Sequence, residues 1–229
     1  MAGRCGSNEH GREYGEALLD YSIEDVTPSN QRGAADALAA AFLTDPLFKY
    51  VIPDEIERRR WLALLKAELV RQNVASGHSR VAVDDEGRVA GTMCAGPYPP
   101  AFWDSLIMNV KLFLLPRPWE PNLRYMVKIL TYLKIWERMH CKETHYYVYT
   151  IGVHPLDQHR GLGRRLMHSL IDTSEREGIP IYLETQTASN VPFYESLGFD
   201  VTEEHAPFED GPHTWGMFRP LDLRQAAAV

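Results

Sequence analysis

The sequence predicts an α/β fold with mixed strand directions in one elaborated domain, and three observations carry that expectation. Short alternating apolar runs interleave with longer runs of helical period. A strand-like run leads through two glycines straight into a helix between Val153 and Leu166. The 229 residues, 45% hydrophobic and 24% charged, suffice for a sizeable core but are few for two full domains.

In chain order, Tyr21–Val26 alternates like a strand, and Thr27-Pro28-Ser29 opens a helix that places Ala34, Ala35, Leu38 and Phe42 on one face until Asp45-Pro46 ends it. A second helix is predicted over 55–74 from Trp61, Leu64, Leu65 and Leu69, closed by Ser76-Gly77. Arg80–Val83 and Arg88–Cys94, joined by Asp84-Asp85-Glu86-Gly87, read as a hairpin. Residues 97–143 break the pattern with proline and aromatic clusters, and read as a helical insertion with helices near 102–114 and 121–138. Its apolar residues Leu123, Met126, Val127, Leu130 and Leu133 suit packing on the core better than a membrane surface. A strand at 146–153, a helix carrying Leu162, Leu166, Leu170 and Thr173 up to Gly178, and a strand at 179–184 follow. A helix from about Asn190 to Gly198 and two closing strands at Phe199–Val201 and Trp215–Phe218 complete the order. Residues 1–19 and 223–229 read as flexible tails around a domain at 20–222.

The formal charge of −7 argues against a general nucleic-acid binder. It suits cationic partners, and equally an ordinary soluble surface. Cys5, Cys94 and Cys141 are too scattered for a disulfide framework or a metal knuckle, which points to a reducing, cytoplasmic setting. The first residues carry acidic groups and no apolar core of a secretory signal. The most apolar run, Leu106–Leu115, contains Lys111 and is too short for a membrane span. The nine histidines form no HExxH, so no metal is expected.

The junction Gln158-His159-Arg160-Gly161-Leu162-Gly163-Arg164 carries the chemistry. A helix start presents unpaired N–H groups and the positive end of its dipole, and glycine lets an anion approach that backbone. Arg160, Arg164 and Arg165 add charge at the rim, so the loop reads as a phosphate cradle. No Lys-Ser or Lys-Thr follows as a Walker loop requires, and Leu166 stands where a dinucleotide loop needs its third glycine.

The loop matches the Q/R-x-x-G-x-G/A pattern of the GNAT acyltransferases, and Ile181–Val201, "IYLETQTASNVPFYESLGFDV", resembles their second signature. With "TIGVHP", "LET" and "GPHTWGMFRP", residues 149–220 are similar to puromycin N-acetyltransferase and its bacterial small-molecule relatives, whereas 97–143 aligns with nothing specific. The resemblance implies a GNAT fold: a mixed, mostly antiparallel sheet flanked by helices, with the helical insertion added. It implies acetyl-CoA as co-substrate, its pyrophosphate on residues 158–164, and its pantetheine arm along the backbone of Thr150, Ile151 and Val153 and near Asn190. N-capping the following helix is a compatible role for Asn190.

Tyr194 matches the tyrosine that protonates the departing thiolate, packing on the sheet being its alternative role. Glu184 is the candidate base, acting directly or through water; binding a cationic acceptor and capping a loop are its alternatives. His145 and Tyr149 are further base candidates. The expected activity is acetyl transfer to a primary amine of a small molecule, antibiotic-like or aminoacyl-like. A peptide acceptor and a non-catalytic CoA-binding module are the alternatives, and 97–143 would either lid the acceptor pocket or pair subunits into a homodimer.

Overall fold

A computed structural model describes residues 21–98 and 123–221. The elements are β1 (Tyr21–Asp25), α1 (Gln31–Phe42), α2 (Pro46–Val51), α3 (Glu55–Asn73), β2 (Arg80–Asp84), β3 (Val89–Tyr98) and α4 (Leu123–Met139). They continue with β4 (His145–Val153), α5 (Leu162–Glu177), β5 (Ile181–Thr185), α6 (Val191–Glu195), β6 (Asp200–His205) and β7 (Thr214–Arg219). The predicted helix at 102–114 and the tails at 1–19 and 223–229 fall outside the described residues.

The strands form one seven-stranded sheet in the order β1-β2-β3-β4-β5-β7-β6. Every neighbouring pair is antiparallel except β4 and β5, which run parallel. A parallel pair needs a crossover, and α5 supplies it. The mixed, mostly antiparallel sheet matches the expected fold.

Each sheet face buries a different set of side chains. On one, α5 lays Leu162, Leu166, Met167, Leu170 and Ile171 over Met93, Tyr146, Val148, Ile181 and Leu183. This is the apolar stripe its period predicted, and Gly178 ends the helix in the left-handed region at φ 69°. On the other face, α1 and α3 pack Ala34, Leu38 and Val70 against Val81, Val83, Val89 and Cys94. A third cluster joins Leu47, Val51 and Ile52 around α2 to Tyr132 of α4.

Three sequence expectations need correction. Asp45-Pro46 ends α1 but also starts α2: Asp45 accepts from the N–H groups of Leu47 and Phe48, and Pro46 fits a first helical turn that needs no donor. The inward face of α3 is Arg58, Leu62, Leu65, Lys66, Val70 and Asn73, with Trp61 and Leu64 only half-buried, so two cations lie on it. On α4, Val127 and Leu130 are half exposed, and the packed side is Tyr125, Ile129, Tyr132 and Trp136. Those four recur at helical spacing, and the three aromatic rings among them bury more apolar surface than the aliphatic stripe does. In addition, Pro97 and Tyr98 belong to β3 rather than to an insertion.

Close approach of α1 to β4 depends on Gly152. A Cβ there would stand 2.8 Å from the Ala41 Cβ and 3.3 Å from Leu38 and Phe42. Gly152→Ala is therefore expected to destabilise the fold by roughly 1–3 kcal/mol through overpacking, read as a lower denaturant midpoint at unchanged m-value.

Candidate active site

The parallel β4–β5 pair closes over a very short length. Tyr146 pairs with Ile181 and Tyr147 with Tyr182, and beyond these two registers the strands part. Their C-terminal halves leave an opening in the sheet, with backbone groups lining it that still need partners.

Beside the opening, β4 carries a bulge. Cys94 pairs with Thr150 and Ala95 with Val148, so Tyr149 is the extra residue. A bulge interrupts the alternation of faces. Val148 and Ile151 pack toward α5, whereas Tyr149 packs toward α1 and α3, and Thr150 on the same side meets Lys66.

The glycine loop follows β4. Gly161 has φ 75°, and no side chain caps the start of α5. His159 also lies in the left-handed region, at φ 64°, a strained choice for a residue with a Cβ. The loop is braced by Asp157, which is buried and accepts from the Tyr21 hydroxyl at 2.8 Å and from Arg88 Nη1 at 2.7 Å and Nη2 at 3.0 Å. The Arg88 guanidinium and the Tyr21 hydroxyl hold the Asp157 carboxyl below its ordinary pKa. Gln158 Nε2 donates back to the Val153 carbonyl at 3.1 Å. Arg160 reaches Tyr21 Oη at 3.0 Å and Arg164 reaches Ser196 Oγ at 2.7 Å, which fixes the two rim charges on either side of the helix start. Gly163 is constrained differently from Gly161, since a Cβ there would meet Phe193 and Val153 only at ordinary contact distance. The Leu162 side chain is buried in the core, so only its backbone can serve a ligand. An uncapped helix start, a left-handed glycine and two exposed arginines together fit a diphosphate.

Asn190 begins α6 without capping it; its Nδ2 donates to Thr185 Oγ1 at 3.3 Å. Tyr194 is buried on the α5 side, with its ring against Phe193 and Phe199. Among the described residues its hydroxyl has no hydrogen-bond partner, and burial alone raises its pKa.

Glu184 projects from the opposite face. Its carboxylate accepts from Tyr147 Oη at 2.7 Å and lies 3.1 Å from His140 Nδ1. The Glu184 side chain is 4% exposed. Around it stand Tyr98, edge-on to His140 at 4.2 Å and stacked on His145 at 5.0 Å, and Tyr182, 5.2 Å from His140. Burial and the neighbouring carboxylate keep Tyr147 well above an ordinary tyrosine pKa. His145 is fully buried, holds the Glu143 carbonyl through Nδ1, and has its pKa lowered by burial; among the described residues its Nε2 has no hydrogen-bond partner. Tyr149 borders this group through its ring contact with Tyr147 at 4.8 Å.

The profile of the Acetyltransferase (GNAT) family matches residues 36–199, and the chain belongs to that family. It is accordingly an N-acetyltransferase, of a class whose co-substrate is acetyl-CoA. Over 180 residues it is 26% identical to an uncharacterized N-acetyltransferase of Schizosaccharomyces pombe, covering 76% of this chain and 72% of that one. A shorter stretch of 59 residues is 39% identical to the L-methionine sulfoximine/L-methionine sulfone acetyltransferase of Salmonella typhimurium, covering 24% of this chain and 34% of that one. The fold is shared with a structure described as histone acetyltransferase HPA2 and related acetyltransferase from Corynebacterium glutamicum, at a TM-score of 0.65 and 22% identity over 88% of this chain and 97% of that one.

Lys66, His140, Tyr147 and Tyr98 join the site without having been singled out from the sequence. Lys66 is the most unusual of them. Its Nζ donates to Thr150 Oγ1 at 2.8 Å and lies over the Phe42 ring at 3.4 Å, and among the described residues it has no ion-pair partner. Arg58 on the same helix face is equally buried, but Leu43, Ile52 and Pro53 carbonyls receive its N–H groups. Burial lowers the Lys66 pKa to about 7, with Asp45 opposing the shift. Asp45 is itself pushed up by burial. Among the described residues, no group of three or more His, Cys, Asp and Glu could hold a metal, and no helix is long and apolar enough to cross a membrane.

Two predictions follow from this geometry. Gly161→Ala forces a Cβ into the left-handed region and is expected to cost about 1–2 kcal/mol and to weaken CoA binding, whereas Gly163→Ala keeps the wild-type stability and affects binding alone; calorimetry with CoA beside thermal melts separates the two. Because the folded-state pKa of Lys66 lies below its unfolded value, the unfolded chain binds more protons above pH 7 and stability rises with pH toward the ordinary lysine range. Lys66→Met should raise the denaturant midpoint at pH 7 and abolish the contribution of this titration to that rise.

Proposed function

We propose that the protein acetylates a primary amine of a small molecule, within the antibiotic-like or aminoacyl-like class that the resemblance to puromycin N-acetyltransferase and its relatives implies. The single observation that carries this reading is the opening between β4 and β5, with Tyr194 on one side of the sheet and Glu184 on the other. Donor and acceptor can then meet at the bulge from opposite faces. The acceptor side has a carboxylate among aromatic rings, a setting that favours a compact cationic amine. The similarity to the L-methionine sulfoximine/L-methionine sulfone acetyltransferase of Salmonella typhimurium also supports an amino-acid-like acceptor.

Acetyl-CoA, held by the helix start at Gly161, the rim arginines and the β4 backbone, supplies a thioester carbonyl carbon that forms a C–N bond as its C–S bond breaks. Glu184 takes one proton from the incoming ammonium, directly or through water, and passes it to solvent. An amine of pKa ~10.4 needs about 4–5 kcal/mol to become neutral at pH 7, and a fixed carboxylate lowers that demand. Tyr147 and His140 hold the Glu184 oxygens in place. The second nitrogen proton leaves as the amide forms, and one proton arrives on sulfur. Burial keeps the Tyr194 phenol protonated, so Tyr194 is a standing donor to that sulfur.

A panel of puromycin, arylalkylamines, aminoglycosides, polyamines, amino acids and short peptides, assayed for thiol release, tests the acceptor class. A peptide-only profile would replace the small-molecule reading, and silence with intact CoA binding would favour a non-catalytic module. With an accepted amine, Tyr194→Phe and Glu184→Gln are each expected to lower kcat on the order of 100-fold while CoA affinity stays within about twofold. Unchanged turnover would remove that residue from the mechanism.

A further inference from the structure

Lys66 is a costly residue with no structural task that a methionine could not fill. A buried ammonium with no ion pair among the described residues is destabilising, and its aromatic neighbours Phe42 and Phe48 would pack as well on an apolar chain. Positions that oppose stability in this way concentrate at functional sites. Its one hydrogen-bond partner among the described residues is Thr150, the residue next to the extra residue of the β4 bulge.

The chemistry of that contact fixes a direction. An ammonium has three donors and no acceptor, so Thr150 Oγ1 must accept. The Thr150 hydroxyl hydrogen is then left to donate, and no acceptor for it is found among the described residues. A hydroxyl whose oxygen already receives a hydrogen bond from a cation is a stronger donor than a lone threonine. The bulge has turned it to the same face as Tyr149, beside the opening where β4 leaves β5.

We infer that the Thr150 hydroxyl donates a side-chain hydrogen bond to the thioester oxygen of bound acetyl-CoA, and that Lys66 is the positioning residue that turns and polarises it. This rests on the acetyl-CoA reading above. Thr150 then acts through its side chain as well as its backbone, a role that the pattern of the strand could not disclose. Among the described residues the titratable groups facing Lys66 are Asp45, from the start of α2, and Cys94 of β3, whose thiol is pushed up to about 12 by burial and so stays neutral. The polarisation is consequently governed by Lys66 itself, strong while it is protonated and weaker as pH rises through about 7.

The test uses the full chain with acetyl-CoA labelled with carbon-13 at the carbonyl and no acceptor, read by isotope-edited infrared spectroscopy. The bound carbonyl band of the wild type is expected below that of free acetyl-CoA, and its displacement is expected to shrink as pH is raised from 6 to 8.5. Thr150→Val and Lys66→Met should each lose part of the displacement and all of its pH dependence, while Thr150→Ser retains both and CoA affinity stays within about twofold. With an accepted amine, Thr150→Val should lower kcat on the order of 10–100-fold at unchanged acceptor KM. A Thr150→Val band at the wild-type position overturns the proposal, as does a Lys66→Met enzyme that keeps the pH dependence. A wild type that displaces the carbonyl band but acetylates no amine contradicts the acceptor reading and leaves this one standing.

Discussion

Everything at this site depends on two strands that run parallel for two residue pairs and then separate. A parallel sheet would ordinarily continue the ladder and satisfy its backbone groups internally. Here the ladder stops at Tyr147 and Tyr182, and the sheet spends part of its hydrogen-bonding capacity on an opening. The cost is tolerable because α5 spans both strands with a continuous apolar face, and β3 and β7 secure their outer edges. In the proposed reaction the opening lets Tyr194 and Glu184, on opposite faces of one sheet, serve together.

The bulge at Tyr149 gives the opening its chemical character. One extra residue sends both Tyr149 and Thr150 toward the helices α1 and α3, where strict alternation would have sent only one of them. Lys66 approaches from α3 to meet Thr150, and Gly152 lets α1 lie close enough to enclose the contact. Local strain has the same distribution. His159 and Gly161 both hold left-handed backbone angles within the loop that opens α5, and the buried Asp157 fixes that loop through Arg88 and Tyr21.

The segment before β4 contributes more than covering. The ring face of α4 docks on α2, Tyr132 donates to the Pro212 carbonyl, and the residue just past the helix, His140, reaches Glu184. A region outside the two signatures read from the sequence thereby supplies a group in direct contact with the candidate base. The proposed acceptor side is assembled from the end of α4, β4 and β5 together.

The sequence by itself determined the α/β class, the apolar face of α5, the glycine loop and the positions of Tyr194 and Glu184. Each is encoded within a few consecutive residues by periodicity, by backbone freedom at glycine, or by a local signature. It did not reveal that Tyr149 is bulged, that Lys66 faces inward, or that His140 and Tyr147 bind one carboxylate. Composition places a lysine at the surface by default, and the exception is visible only when α3 has been docked on β4. The pairing of His140 with Glu184 spans 44 residues and exists only because helix α4 and strand β5 have been packed together. Local signals set which backbone each segment can adopt, whereas burial and partnership are properties of surfaces in contact, and those the tertiary structure alone decided.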